Sequence, residues 1–342
     1  MHMADALVSP AVGGTMWAVT TSLIGFSSAK VNRLADDRTI PFMGVLGAFV
    51  FAAQMINFAI PGTGSSGHLG GGLLLAILLG PWAALLTLAS ILTIQALFFA
   101  DGGILALGCN IFNMGVFPCL LAHPFLYKPL AGSRLNRRRI FAAAILASIA
   151  SLQLGAFSVV LQTTLSGITD LPLATFALFM QPIHLAIGVI EGLATASLVL
   201  FLRHSRPELV SLSDALSNGS GRGAKTLAVL VLAAVITAGL LSWFASSRPD
   251  GLEWSIERTA GTEEIAQPRS SVHTSLRWLQ DRLAILPDYK FTKAAPGEEP
   301  LSPSPAVRDK TETSFAGLVG GLLTLLTALL AGLLLKRRST LS

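Results

Sequence analysis

The chain reads as an all-α polytopic membrane protein, with a seven-helix unit followed by a two-helix C-terminal unit that carries an external loop. Three observations predict this. The hydrophobic fraction is 52% and charged residues are only 13%, about half the charge density of a soluble domain. Apolar runs close to the ~20 residues needed to cross hydrocarbon recur through most of the sequence. Lys and Arg sit mainly in short loops between those runs, the pattern that sets topology.

Spans are expected at about 11–29, 41–60, 69–85, 86–100, 104–126, 140–166, 175–202, 226–245 and 315–335. The stretch 69–100 is one long apolar run, and Gly80-Pro81 is where it should break, because proline removes a helical hydrogen bond. Basic residues follow the first span (Lys30, Arg33, Arg38), the fifth (Lys128, Arg134, Arg137, Arg138, Arg139), the seventh (Arg203, Arg206, Arg222, Lys225) and the last (Lys336, Arg337, Arg338). Placing these loops in the cytoplasm leaves 61–68, 101–103 and 167–174 outside, all without Lys or Arg. With nine spans the N-terminus is then external and the C-terminus cytoplasmic, in a bacterial or archaeal cytoplasmic (inner) membrane.

Composition changes near residue 205. The first unit spans 1–204. A polar stretch at 205–224 reads as a cytoplasmic linker, and its GSGRGAKT lacks the glycine that a phosphate-binding loop needs before the lysine. The second unit, 225–342, has two spans enclosing a polar loop whose Pro-rich 296–305 segment looks unstructured. The net charge of +5 lacks the aromatic platforms and basic face of nucleic-acid binding. Cys109 and Cys119 lie in one apolar run and serve as small core residues.

The beginning, MHMADALVSP, lacks the basic segment of a cleaved signal peptide, so Met1 and His2 should be retained. A free amine, the residue-2 amide nitrogen and the His2 imidazole can close fused five- and six-membered chelate rings on one metal. One more nitrogen, from His68 in the loop Gly62-Thr63-Gly64-Ser65-Ser66-Gly67-His68, would complete a square plane. Nitrogen donors in a plane suit Ni(II) and Cu(II) and disfavour ions that prefer oxygen. Such chelation releases protons, so affinity should rise with pH through the imidazole and amine range. A frayed terminus and an interfacial histidine are the alternative.

Polar groups inside apolar runs are costly and face cavities or one another. Gln54, Asn57, Gln95 and Asp101 fall at the His68 end of their spans, while Asn110 and Asn113 fit helix–helix hydrogen bonding. His184 and Glu191, seven apart, share a helix face and could be a proton relay or a packing pair. His123 and His204 read as interfacial, and His273 as a loop residue. No nucleophile–base set or metalloprotease motif occurs, so the chain is not expected to be an enzyme.

The segments MHMADALVSPAVGGTMW, PFMGVLGAFVFAAQMINFAIPGTGSSGHLGGG, QALFFADGGILALGCNIFNMG and HLAIGVIEGL, in that order over about residues 1–202, resemble the CbiM/NikM family. These are the substrate-capture components of energy-coupling-factor importers for nickel and cobalt. Arg248-Pro249-Asp250-Gly251-Leu252-Glu253-Trp254 resembles the PDGLE element of the small NikN/CbiN partner, so the whole is similar to a fused NikMN protein. The resemblance implies that Met1 (amine), His2 (amide and imidazole) and His68 hold the metal. Asn57, Ser66, Gln95 and Asp101 then support those ligands. It implies Ni2+, or alternatively Co2+, as transported substrate, with ATPase subunits and a transmembrane coupling subunit as partners. An intramembrane metalloenzyme using His184 and Glu191, and a metal sensor, are the rival readings. The long insert after PDGLEWS departs from the family pattern.

Overall fold

The computed structural model describes residues 1–34, 39–132, 136–205, 222–262, 265, 268, 270–291 and 305–339. The linker expected at 205–224 lies largely outside them, as does most of the Pro-rich segment at 296–305.

Helix α1 (Pro10–Leu34) starts with proline at its first position, where a missing N–H costs nothing. Helix α2 (Thr39–Gln54) is almost wholly buried. A two-residue antiparallel ladder, β1 (Phe58–Ala59) with β2 (Ser66–Gly67), closes the loop that follows. Helices α3 (Gly72–Leu79) and α4 (Pro81–Phe98) are separated at Gly80, whose φ of 81° favours glycine, with Pro81 opening α4. Helix α5 (Leu107–Ala131) holds Pro118 and Pro124 within a π-helical stretch, Phe112–Tyr127. Helices α6 (Arg137–Ser166) and α7 (Leu173–Ser205) follow, the latter with Pro182 inside. In the second unit α8 (Arg222–Gly239) and α11 (Pro305–Ser339) enclose two shorter helices, α9 (Gly251–Ala260) and α10 (Ser271–Leu283).

Among the described residues six helices are long and apolar enough to cross a membrane: Pro81–Phe98, Leu107–Ala131, Arg137–Ser166, Leu173–His204, Leu227–Phe244 and Lys310–Gly332; Thr39–Gln54 is a shorter apolar helix. They leave large apolar side chains exposed, among them Leu165, Leu178, Phe201 and Leu330, as lipid contact requires. The chain is therefore multi-pass. The Gly80-Pro81 break is present, but the span expected over 69–85 is corrected. Helix α3 has eight residues and rises only ~12 Å, too short to cross alone.

The reason lies in the loop before it. An added Cβ at Gly72 would lie 2.6 Å from Pro118 Cγ and 3.0 Å from Met114 O, both near the middle of α5. The loop from Asn57 to Gly71 has thus already descended into the bundle before α3 begins. Gln54 Nε2 donates to Gly70 O (2.8 Å), and the buried Glu191 carboxylate accepts from Gly70 N (3.0 Å) and Gly71 N (3.1 Å). Backbone donors at this depth need such partners, since lipid offers none.

The two units interleave. Gly320 of α11 sits where any Cβ would strike the Phe51 ring of α2, and a Cβ added at Gly44 would lie 3.1 Å from Leu325 O. Small residues here let backbones approach closely. Helix α10 and the segment after it are folded, which the composition of the insert did not suggest. His273 is buried on α10, with Nε2 3.0 Å from Val8 O and 3.2 Å from Asp5 O. That corrects its reading as a loop residue. His123, expected at the interface, is also buried and stacks on Tyr127. Both cysteines are free and buried.

Candidate metal centre

Residues 1–9 enter the bundle as an extended arm around a short 3-10 turn, Asp5–Leu7. Asn110 clamps it in the manner of a neighbouring strand: Met3 N donates to Asn110 Oδ1 (2.8 Å), and Asn110 Nδ2 donates to Met3 O (3.1 Å). The arm brings His2 onto His68, with ring centroids 5.2 Å apart and planes 18° from parallel. A cavity of about 20 Å³ lies beside them, lined in part by Met1, His68, His184 and Asp250. It is large enough for about one water-sized occupant.

Hydrogen-bond direction fixes the imidazole tautomers. Gly70 O can only accept, so Gln54 presents its NH2 to it and its oxygen to Gln95 Nε2 (2.8 Å). Gln95 must then present its oxygen to His2 Nε2 (3.2 Å), which donates. That leaves Nδ1 as the lone-pair nitrogen of His2, the one that the fused chelate requires. His68 Nδ1 lies 3.3 Å from Leu69 O, so its proton is on Nδ1 and Nε2 is open. Burial lowers His2 below its ordinary value, and burial with the nearby Met1 ammonium pushes His68 down to about 3.

Two carboxylates flank the arm. Asp250 Oδ2 is 3.0 Å from the Met1 amine, and Asp101 Oδ1 is 3.4 Å from His2 Nδ1. Burial opposes ionisation of Asp250, yet the Met1 ammonium beside it holds its carboxyl well below the usual range. Two carboxylates beside the amine and the two imidazoles make the surroundings favourable to a dication. Asp250 also caps α9 through a reciprocal box with Glu253, so its position is fixed by local structure.

Of the four supporting residues expected, Gln95 and Asp101 touch His2. Ser66 does not: its hydroxyl donates to Arg248 O (2.8 Å), and its N–H to Pro249 O (2.8 Å). Asn57 offers its carbonyl to Ser246 N (2.7 Å). Both fasten the loop to the second unit. Sequence reasoning missed Asp250 and Tyr289 as neighbours of the arm. Tyr289 OH donates to Asp101 Oδ2 (2.5 Å), and its signal was no more than an aromatic residue in a polar insert. Among the described residues no group of three His, Cys, Asp or Glu side chains is gathered to hold a metal.

Residues 2–209 match the family described as the cobalt uptake substrate-specific transmembrane region, CbiM, and residues 224–337 match the PDGLE domain. Over 95% of the chain and 96% of the relative, 31% of residues are identical to a putative fused nickel transport protein NikMN of Archaeoglobus fulgidus. Identity to a cobalt transport protein CbiM of Geobacter sulfurreducens is 28%, covering 79% of the chain and 80% of that protein. A crystal structure of a transition metal transporter superposes with a TM-score of 0.53 at 30% identity, over 60% of this chain and 93% of that one. With its first two hundred residues matching one metal-transport family and its remainder the PDGLE domain, the chain belongs to the CbiM family in its fused form.

Proposed function

We propose that the chain is the substrate-specific component of an ATP-driven energy-coupling-factor importer. It takes Ni2+ from the external side, through a cage of the Met1 amine, the His2 amide and Nδ1 nitrogens, and His68. The observation that carries this reading is the meeting of the N-terminal arm and the His68 loop deep in the bundle, each imidazole keeping a lone-pair nitrogen. The relatives' names, nickel transport for one and cobalt transport for another, support a divalent transition metal as cargo. A planar nitrogen set favours Ni2+ over Co2+, and Co2+ remains the alternative cargo. ATP hydrolysis belongs to separate ATPase subunits, coupled through a transmembrane partner.

Loading exchanges hydrogen bonds for metal bonds. The Met1 amine gives up its proton and leaves Asp250, the residue-2 amide gives up its proton, and the imidazoles give up none. Asp101 and Asp250 then balance the charge of the ion. The deciding experiment is uptake of radioactive nickel and cobalt by cells that express the chain with its ATPase and coupling subunits. His68→Ala is expected to abolish high-affinity uptake; unchanged uptake of both ions in that variant would sink the cage.

A further inference from the structure

His184 is 1% exposed and lies on the middle of α7. Its Nδ1 is 2.8 Å from Met180 O. A carbonyl only accepts, so the proton is on Nδ1 and Nε2 carries the lone pair. Nε2 has no hydrogen-bond partner among the described residues. The side chain lines the same cavity as Met1, His68 and Asp250, and its Cε1 lies 3.1 Å from where a Cβ on Gly251 would be. A buried imidazole without a partner costs free energy unless something occupies the space before it. The lining also includes His68, whose open Nε2 is not tied to the chain. Glu191, one further step along the same face, is fastened to the Gly70 and Gly71 N–H groups and serves to hold the loop.

We propose that His184 contacts the transported metal, forming with His68 an inner station through which the ion leaves the nitrogen cage. This rests on the reading of the cage given above. The ion exchanges ligands in one step: the amine, amide and His2 bonds break, the His68 bond persists, and a bond to His184 Nε2 forms. Water fills the remaining positions, and the amine and amide take back their protons. Two imidazoles bind far more weakly than the full cage. Weakness is what a transit station needs, since an ion must be able to leave it. Asp250 lies on the cavity wall and offsets the charge during the exchange.

The test uses the full-length purified chain with its outer cage disabled by His2→Ala. Equilibrium dialysis with Co2+ should show a residual site at least about 100-fold weaker than the intact cage, which His184→Gln in the same background weakens about tenfold further. Equal residual binding with and without His184, or no residual binding at all, overturns the proposal. The His2→Ala chain loaded with Cu2+ gives a second measurement without touching His184: pulsed electron paramagnetic resonance should count two coupled imidazoles, and a count of one also overturns it. Failure of the cage itself is recognised separately, by wild-type uptake in His68→Ala.

Discussion

A chain of amides decides which nitrogen of His2 is open, and the deciding residue never touches the ring. Gln54 orients Gln95, and Gln95 orients His2. Gln54→Leu should therefore weaken Ni2+ binding by about tenfold, read by titration calorimetry, although it leaves every proposed ligand in place. Tyr289→Phe frees one oxygen of Asp101 and should weaken binding by a similar factor, while the melting temperature moves by only a few degrees. A pH effect follows from His68. The unfolded chain takes up a proton near the ordinary value of 6.5, and the folded loop refuses it until about 3. Stability is therefore complete above that ordinary value and is lost as pH falls towards the lower one, at about 1.4 kcal/mol per pH unit. Thermal melting at pH 5 should show a loss of about 2 kcal/mol relative to pH 7.5. The pairing of Met1 and His2 with His68 was only suggested by local chemistry, two adjacent residues that can chelate and a glycine-rich loop offering a third nitrogen; the resemblance to the CbiM/NikM family singled it out. Asp250 was not, because it reaches Met1 across 249 positions, and no local pattern encodes such a meeting.

Among the elements, the long helices were the readable part. Their apolar length is set by hydrocarbon thickness, and Gly80-Pro81 marks its own break. The descent of the Asn57–Gly71 loop was not readable, since a polar glycine-rich stretch looks the same at the surface or within the bundle. Its depth follows from contacts made by Gln54, Glu191 and Pro118. Gly71 is the tightest of these points, with φ of 73° and space for a Cβ only 2.4 Å from Val50 Cγ1. Gly71→Ala should therefore destabilise the protein by about 1–3 kcal/mol and weaken metal binding with it, both measurable on the purified chain. Helix α10 was hidden for a different reason: it is amphipathic and polar on average, so composition alone reads it as loop. Its Gln280 side chain donates to Ala96 O (2.8 Å) and Gly102 O (2.7 Å). Gln280→Leu should loosen this cover, and hydrogen exchange at residues 99–104 should rise.

At the scale of the molecule, the PDGLE unit completes the site that the first unit begins. Its Arg248–Pro249 carbonyls hold Ser66, its Trp254 indole donates to Thr63 O (3.0 Å), and its Asp250 faces the amine. A change in composition near residue 205 suggests where one unit gives way to the other; that one half inserts into the other was not readable, because hydropathy reports depth but not neighbours. The clamp on the first residue bears on how the protein is made. A ribosome adding ~5–20 residues per second needs roughly 10–50 s to travel from Met1 to Asp250. For that interval the nascent N-terminal arm waits without the carboxylate that will meet it, open to the enzymes that trim or acylate new chains. For the proposed cage, biogenesis as well as affinity then sets what fraction of molecules keeps this amine free.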